Sequence, residues 1–182
     1  MSTIDEIIEK ALRLGHKTAE GLLFHEDGTV STNKLAFDAS YDVSVHRLEN
    51  LEALKRSPGL YQIHTFDGIP LKVGIAANLL RRLTQHARSL QSKLKPIADC
   101  AVSDPHHLRS KQSILAKHLY FDRSLTEDYD LETEVGRQNF LAHQTYLLVT
   151  YTDTRDEALR LEKIAEAFDI WRYQGRVKII EG

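Results

Sequence analysis

A strand, a two-residue turn, a second strand and an amphipathic helix follow one another without interruption over residues 59–90, and that unit constrains the fold more than anything else in the chain. Gly59 to Thr65 and Ile69 to Gly74 are rich in strand-forming residues, and the Asp67-Gly68 dipeptide between them is a hairpin turn signal. From Asn78 to Leu90 the residues Leu79, Leu80, Leu83, Ala87 and Leu90 recur at helical spacing, with Asn78 placed to cap the first turn. The helix begins only a few residues after the second strand, so the sheet it covers first is this hairpin. Four polar side chains are then expected close together: Tyr61 and Lys72 at the two ends of the hairpin, and Arg82 and His86 four residues apart on the helix.

The flanking elements are less sharply written. Thr3 and Glu6 form a capping box ahead of Ile4, Ile7, Ile8, Ala11 and Leu14, which predicts a helix stopping at Gly15. Leu22 to Phe24, Asp27-Gly28 and Val30 suggest a small hairpin, and the spacing of Val45, Leu48, Leu51 and Leu54 predicts a second helix ending before Pro58. Residues 1–57 are therefore expected to be an N-terminal helical extension. Helices are predicted from about Leu108 to Phe121 and from Leu131 to His143, the latter weakened by Gly136, which makes residues 91–144 a central helical insertion. Thr145 to Tyr151 reads as a strand. Thr154 and Glu157 form a capping box for a helix burying Ala158, Leu161, Ile164, Ala165 and Phe168. The expected fold is α/β of the α+β type, with a small, mainly antiparallel three-stranded sheet flanked by helices in a domain spanning 58–175, and 176–182 as a tail.

Composition excludes several classes. At 182 residues and 42% hydrophobic content the chain supports one domain with a sizeable core. Its apolar runs fall far short of the roughly 20 residues a membrane span needs, and its start lacks a secretory pattern, which predicts a cytoplasmic protein with no membrane partner. Cys100 is the single cysteine, and with His106 and His107 it lacks the paired spacing of a zinc site. The formal net charge of -2 conceals an asymmetry: no acidic residue lies between Asp67 and Asp99, whereas Lys72, Arg81, Arg82, Arg88, Lys93 and Lys95 all do. Such a stripe suits a phosphate backbone, or it is a solvated helix face. Arg81, Arg88, Lys93 and Lys95 are its candidate nucleic-acid contacts.

The order and spacing of the polar residues carry a resemblance. Gly59-Leu60-Tyr61 is followed, after the ten residues 62–71, by Lys72-Val73-Gly74; Arg82 comes eight residues later, then His86, then Glu162 within Asp156-Glu157-Ala158-Leu159-Arg160-Leu161-Glu162, then Tyr173-Gln174. Over residues 58–90 and 145–175 this resembles the GIY-YIG nuclease superfamily. The resemblance implies a metal-dependent endonuclease that hydrolyses phosphodiesters in nucleic acid, with DNA the expected polymer. Its catalytic residues would be Tyr61, Lys72, Arg82, His86 and Glu162, with magnesium or manganese held by Glu162. Gly59, Gly74, Asn78 and Gln174 would support them. Two positions depart from the family pattern: Lys72 stands for a tyrosine and Gln174 for an asparagine. A catalytically silent binding module of the same fold and a nuclease acting on structured RNA are the alternatives, and either a monomer or a homodimer fits the sequence.

Each residue type suits its implied task. Arg82 offers a planar fork that matches two phosphate oxygens. Tyr61 is a poor base at its ordinary pKa of about 10 unless a neighbouring cation favours the phenolate; alternatively Lys72, with its pKa depressed by burial, takes the proton itself. The sequence leaves both routes open. Glu166 and Asp169 share a helical face with Glu162, and this repulsion would be relieved by a cation, either a metal or Arg155.

Overall fold

Asp67-Gly68 turns the chain as the sequence predicts. Gly68 takes a φ of 104°, and Thr65 closes the turn by donating its N–H to the Ile69 carbonyl at 2.9 Å and accepting the Ile69 N–H on its hydroxyl at 2.9 Å. The computed structural model describes residues 22–24, 30–32, 42–96, 108–109, 114–167 and 169–173. Among them the strands are β1 (Leu22–Phe24), β2 (Val30–Thr32), β3 (Asp42–His46), β4 (Gly59–Thr65), β5 (Pro70–Ala76), β6 (Lys95–Pro96), β7 (Leu108–Arg109) and β8 (Thr145–Tyr151). The helices are α1 (Leu79–Arg88), α2 (Ile114–Phe121), α3 (Glu134–Gln144) and α4 (Arg155–Ala167), with a 3-10 turn at Gln91–Lys93. None is long and apolar enough to cross a membrane.

The main sheet is antiparallel in the order β1-β2-β3-β8-β4-β5, with β6 and β7 forming a separate two-stranded ribbon. Several expectations are corrected here, among them the helix predicted from about Leu108, where Leu108–Arg109 is strand β7 and α2 begins only at Ile114. The sheet has six strands rather than three, and residues 22–46 contribute three of them instead of belonging to a helical extension. The helix expected over Val45, Leu48, Leu51 and Leu54 does not form: Asp42–His46 is a strand, with Val45 opposite Leu148 and His46 opposite Leu147, and Leu48, Leu51 and Leu54 lie in the turns that follow. The physical reason is that Val43 and Val45 alternate with period two and β8 offers a free edge. The three-residue spacing beyond them reflects leucines folded under the sheet, where Leu48 and Leu54 are buried. The hairpin expected near Asp27-Gly28 is present as β1 paired with β2. The helix predicted up to Gly15 lies outside the described residues.

All seven residues of β4 are buried, because helices cover both faces of the sheet there. On one face Tyr61, Ile63, Leu71, Leu147 and Val149 pack against Leu79 and Leu83 of α1, Leu115 and Leu119 of α2, and Phe140 and Leu141 of α3. On the other face Leu60 and Val73 meet Leu161 and Ala165 of α4, closed by Trp171, whose indole N–H donates to the Ala165 carbonyl at 2.7 Å. Trp171 is thus a packing anchor. Past α4 the chain returns to the sheet, Arg172 and Tyr173 donating their backbone N–H groups to Pro70 and Leu71. There Asp122, itself fully buried, accepts from the Arg172 guanidinium and from the Tyr173 hydroxyl at 2.7 Å.

One buried group gives the fold a pH dependence. His64 stacks on Tyr146 with ring centroids 5.4 Å apart, and its Nε2 shares a hydrogen bond with Gln62 Oε1 at 3.2 Å. Burial lowers its pKa from 6.5 to about 3. The unfolded chain therefore takes up a proton at this residue near pH 6.5 and the folded chain does not until about pH 3. Stability falls as pH drops through that window, at up to about 1.4 kcal/mol per pH unit for one such group. Thermal melts across the window should show a declining midpoint, and His64→Phe should flatten the decline; an equally steep decline in the variant would acquit His64.

Candidate active site

Tyr61 lies at the centre of β4, directly opposite Gly74 of β5. A Cβ at position 74 would stand 2.5 Å from the Tyr61 Oη and 2.7 Å from its Cζ, so the ring lies across the bare backbone of that glycine. Gly59 serves a comparable purpose at the start of the strand, where a Cβ would fall 2.2 Å from the Thr150 carbonyl oxygen. Laid over Gly74, the Tyr61 hydroxyl reaches α1, 2.8 Å from Nε2 of His86, with the two rings tilted by 57°.

The register of α1 decides which of its residues meet that hydroxyl. Asn78 caps the helix, accepting the Arg81 N–H at 3.0 Å, and Ser89 ends it in a left-handed conformation. Between these caps His86 turns inward with 4% exposure, three residues after Leu83 and seven after Leu79 on the buried stripe. One turn earlier, Arg82 hydrogen-bonds to the phenol of Tyr61. A guanidinium only donates, so the phenol accepts from Arg82 and its own proton is free to be shared with His86 Nε2. In the tautomer whose Nε2 accepts that proton, His86 is neutral and carries its own proton on Nδ1. Burial drives the His86 pKa well below 6.5, and the cations of Arg82 and Lys72 push it the same way. Burial raises the Tyr61 pKa; Arg82 opposes the rise and Glu162 adds to it.

Lys72, paired with Ile63 across the hairpin, is 6% exposed. Its pKa is lowered, by burial first, with Arg82 reinforcing and Glu162 and Glu166 opposing. Glu162 reaches this cluster from α4. It is half-buried and accepts the backbone N–H of Ile75, on the edge strand β5. Its pKa is raised by burial and by Glu166, against the pull of Lys72 and Arg155. The five side chains implied as catalytic are drawn from β4, β5, α1 and α4, with Tyr61 and His86 in hydrogen-bond contact and the charges of Arg82, Lys72 and Glu162 felt within the group.

The supporting basic residues divide. Arg81 joins Arg82, Asn78, Gln85 and Arg155 around an open cleft of about 370 Å³ beside the cluster. Arg88 sits seven residues further along α1, roughly 10 Å away by helical rise. It lines a different cavity of about 490 Å³ with Leu48, Leu51 and Gln138. Lys93 falls in the 3-10 turn and Lys95 in β6, both beyond that far end of the helix, and Gln174, Cys100, His106 and His107 lie outside the described residues. The basic stripe is therefore not one surface. Gln85 was not anticipated, although its position three residues after Arg82 put it on the same side of the helix.

No protein-family model, curated protein or solved structure matches the chain.

The fit of a divalent ion can be judged from Glu162. Among the described residues no group of three or more His, Cys, Asp or Glu side chains converges as a metal cage. Magnesium seldom needs one: it commonly takes one or two carboxylates, keeps waters and completes its shell with substrate phosphate. A half-buried carboxylate whose proton affinity is raised by burial and by Glu166 fits that donor set.

Proposed function

We propose that this chain is a metal-dependent endonuclease of the GIY-YIG type, hydrolysing phosphodiester bonds in nucleic acid, with DNA the expected substrate. The observation that carries the proposal is the Tyr61 hydroxyl held between a neutral imidazole and a guanidinium, with Lys72 and Glu162 within electrostatic reach. Water needs a proton acceptor as it attacks phosphorus, and the relay supplies one. Tyr61 accepts the proton from water at Oη while passing its own to His86 Nε2, so the phenolate need not accumulate. Arg82 spans the phosphate oxygens, and Lys72 adds a second positive charge as the phosphorane forms. Glu162 would hold the magnesium or manganese ion, which when bound supplies Lewis-acid stabilisation of the departing oxygen.

The test is cleavage of plasmid, duplex, branched and single-stranded substrates, with magnesium and with chelator. Cleavage should require the ion, and Glu162→Ala should reduce it by about two to three orders of magnitude. Undiminished cutting by Glu162→Ala would remove the metal assignment. Salt-sensitive binding with no cleavage on any DNA or RNA would instead identify a binding module.

A further inference from the structure

The cleft beside the cluster is lined by three arginines and two side-chain amides, with no carboxylate among its lining residues. Its volume of about 370 Å³ lies in the range of small-ligand pockets, enough for a group the size of a nucleotide. Arg82 belongs both to this lining and to the Tyr61 contact, so the cleft is continuous with the candidate active site. Arg81, one residue before Arg82, lies about 100° around the helix from it and so faces a different part of any ligand. Arg155 approaches from the other wall, at the first residue of α4. Arg81 and Arg155 are both exposed, and neither forms an ion pair among the described residues. Asn78, which caps α1, and Arg155, the first residue of α4, both line the cleft.

We propose that Arg81, Arg155 and Gln85 form a second phosphate subsite, which seats the phosphate neighbouring the scissile one. The substrate would then be a strand with at least two consecutive phosphates rather than an isolated phosphate ester. The proposal rests on the nuclease reading of the adjoining cluster. It assigns Arg155 a direct contact with substrate, in addition to its electrostatic influence on Glu162.

Fluorescence anisotropy of the full chain with a labelled DNA duplex, in chelator and across a salt series, reads the subsite without requiring turnover. Arg155→Ala should weaken binding about tenfold and reduce the slope of log affinity against log salt by about one, while Arg155→Lys keeps most of that slope. With magnesium, Arg155→Ala should raise KM on the duplex far more than it lowers kcat. Wild-type affinity and slope in Arg155→Ala would overturn the subsite while leaving the nuclease reading in place. A shifted pH profile with an unchanged salt slope would also overturn it, since Arg155 would then act only through Glu162. Arg155-dependent binding by a wild-type chain that cleaves nothing would retain the subsite and defeat the nuclease reading. No binding by the wild type to duplex or single strand would defeat both.

Discussion

Tyr61→Phe is expected to lower the cleavage rate by about three orders of magnitude, the size of a lost general base, with the fold intact. The substitution keeps the ring that fills the space over Gly74 and removes only the hydroxyl shared by His86 and Arg82. Loss of those buried hydrogen bonds should cost roughly 1–2 kcal/mol of stability, so a rate measured well below the melting temperature separates chemistry from folding. Lys72→Met is the comparison that decides between the two proton acceptors. If Lys72 is the base, Tyr61→Phe will retain most of its activity and Lys72→Met will retain almost none. If Tyr61 is the base, Lys72→Met should lose the contribution of a nearby charge, and its residual rate should exceed that of Tyr61→Phe.

The same relay predicts the acid side of the pH profile. It works only while His86 is neutral, and burial, Arg82 and Lys72 all hold its pKa below 6.5. The rate should therefore persist below pH 6.5, where an exposed histidine would already be protonated, and fall only in more acidic solution. An acid limb centred at or above pH 6.5 would count against His86 as the acceptor.

How far the sequence could carry this reading depended on how local each signal was. Hairpin and helix over residues 59–90 were legible because Asp67-Gly68 fixes the turn and the leucines of α1 have only the neighbouring strands to cover. β3 was not, because its partner β8 is about 100 residues away in the chain and its five residues sit beside leucines spaced like a helical face. Tyr61, Lys72, Arg82, His86 and Glu162 could be picked out by order and spacing, and His86 falls on the leucine stripe of α1, but its partner inside the core could not be read. That partner is the Tyr61 hydroxyl on β4, which helical periodicity does not encode. Gly136 was misjudged in the same way. It looked like a weak point in a helix, yet a Cβ there would fall 1.8 Å from the Asp130 carbonyl oxygen, so the tight entry into α3 requires a glycine.

Arg137, the next residue, is the part of the fold that sequence pattern concealed most completely, and Arg137→Met should destabilise the protein by about 3–5 kcal/mol through the acceptors it leaves unsatisfied. Its side chain is fully buried, yet it makes no direct salt bridge among the described residues. Instead, five hydrogen bonds employ all three of its guanidinium nitrogens. Nε donates to Ser89 Oγ, Nη1 to the Leu131 and Glu132 carbonyls, and Nη2 to the Ser89 carbonyl and Gln91 Oε1. Burial lowers its pKa, and Glu134 and Asp130 oppose that only at a distance. Methionine would fill much of the volume while leaving three backbone carbonyls in the interior without these donors, and Ser89 would lose the contacts that hold it at a φ of 42°. Against a total stability of about 5–15 kcal/mol, the melting temperature should fall by roughly 10 °C. Because Ser89 terminates α1 and its N–H bonds back to the carbonyls of Gln85 and His86, the damage should reach the last turn carrying His86. Urea unfolding of Arg137→Met would measure the loss, and a change below about 1 kcal/mol would mean that water replaces the guanidinium at little cost. Cleavage per folded molecule at low temperature should fall less than the stability does, since Arg137 acts on the helix terminus and hydrogen-bonds to none of the five residues of the proposed site.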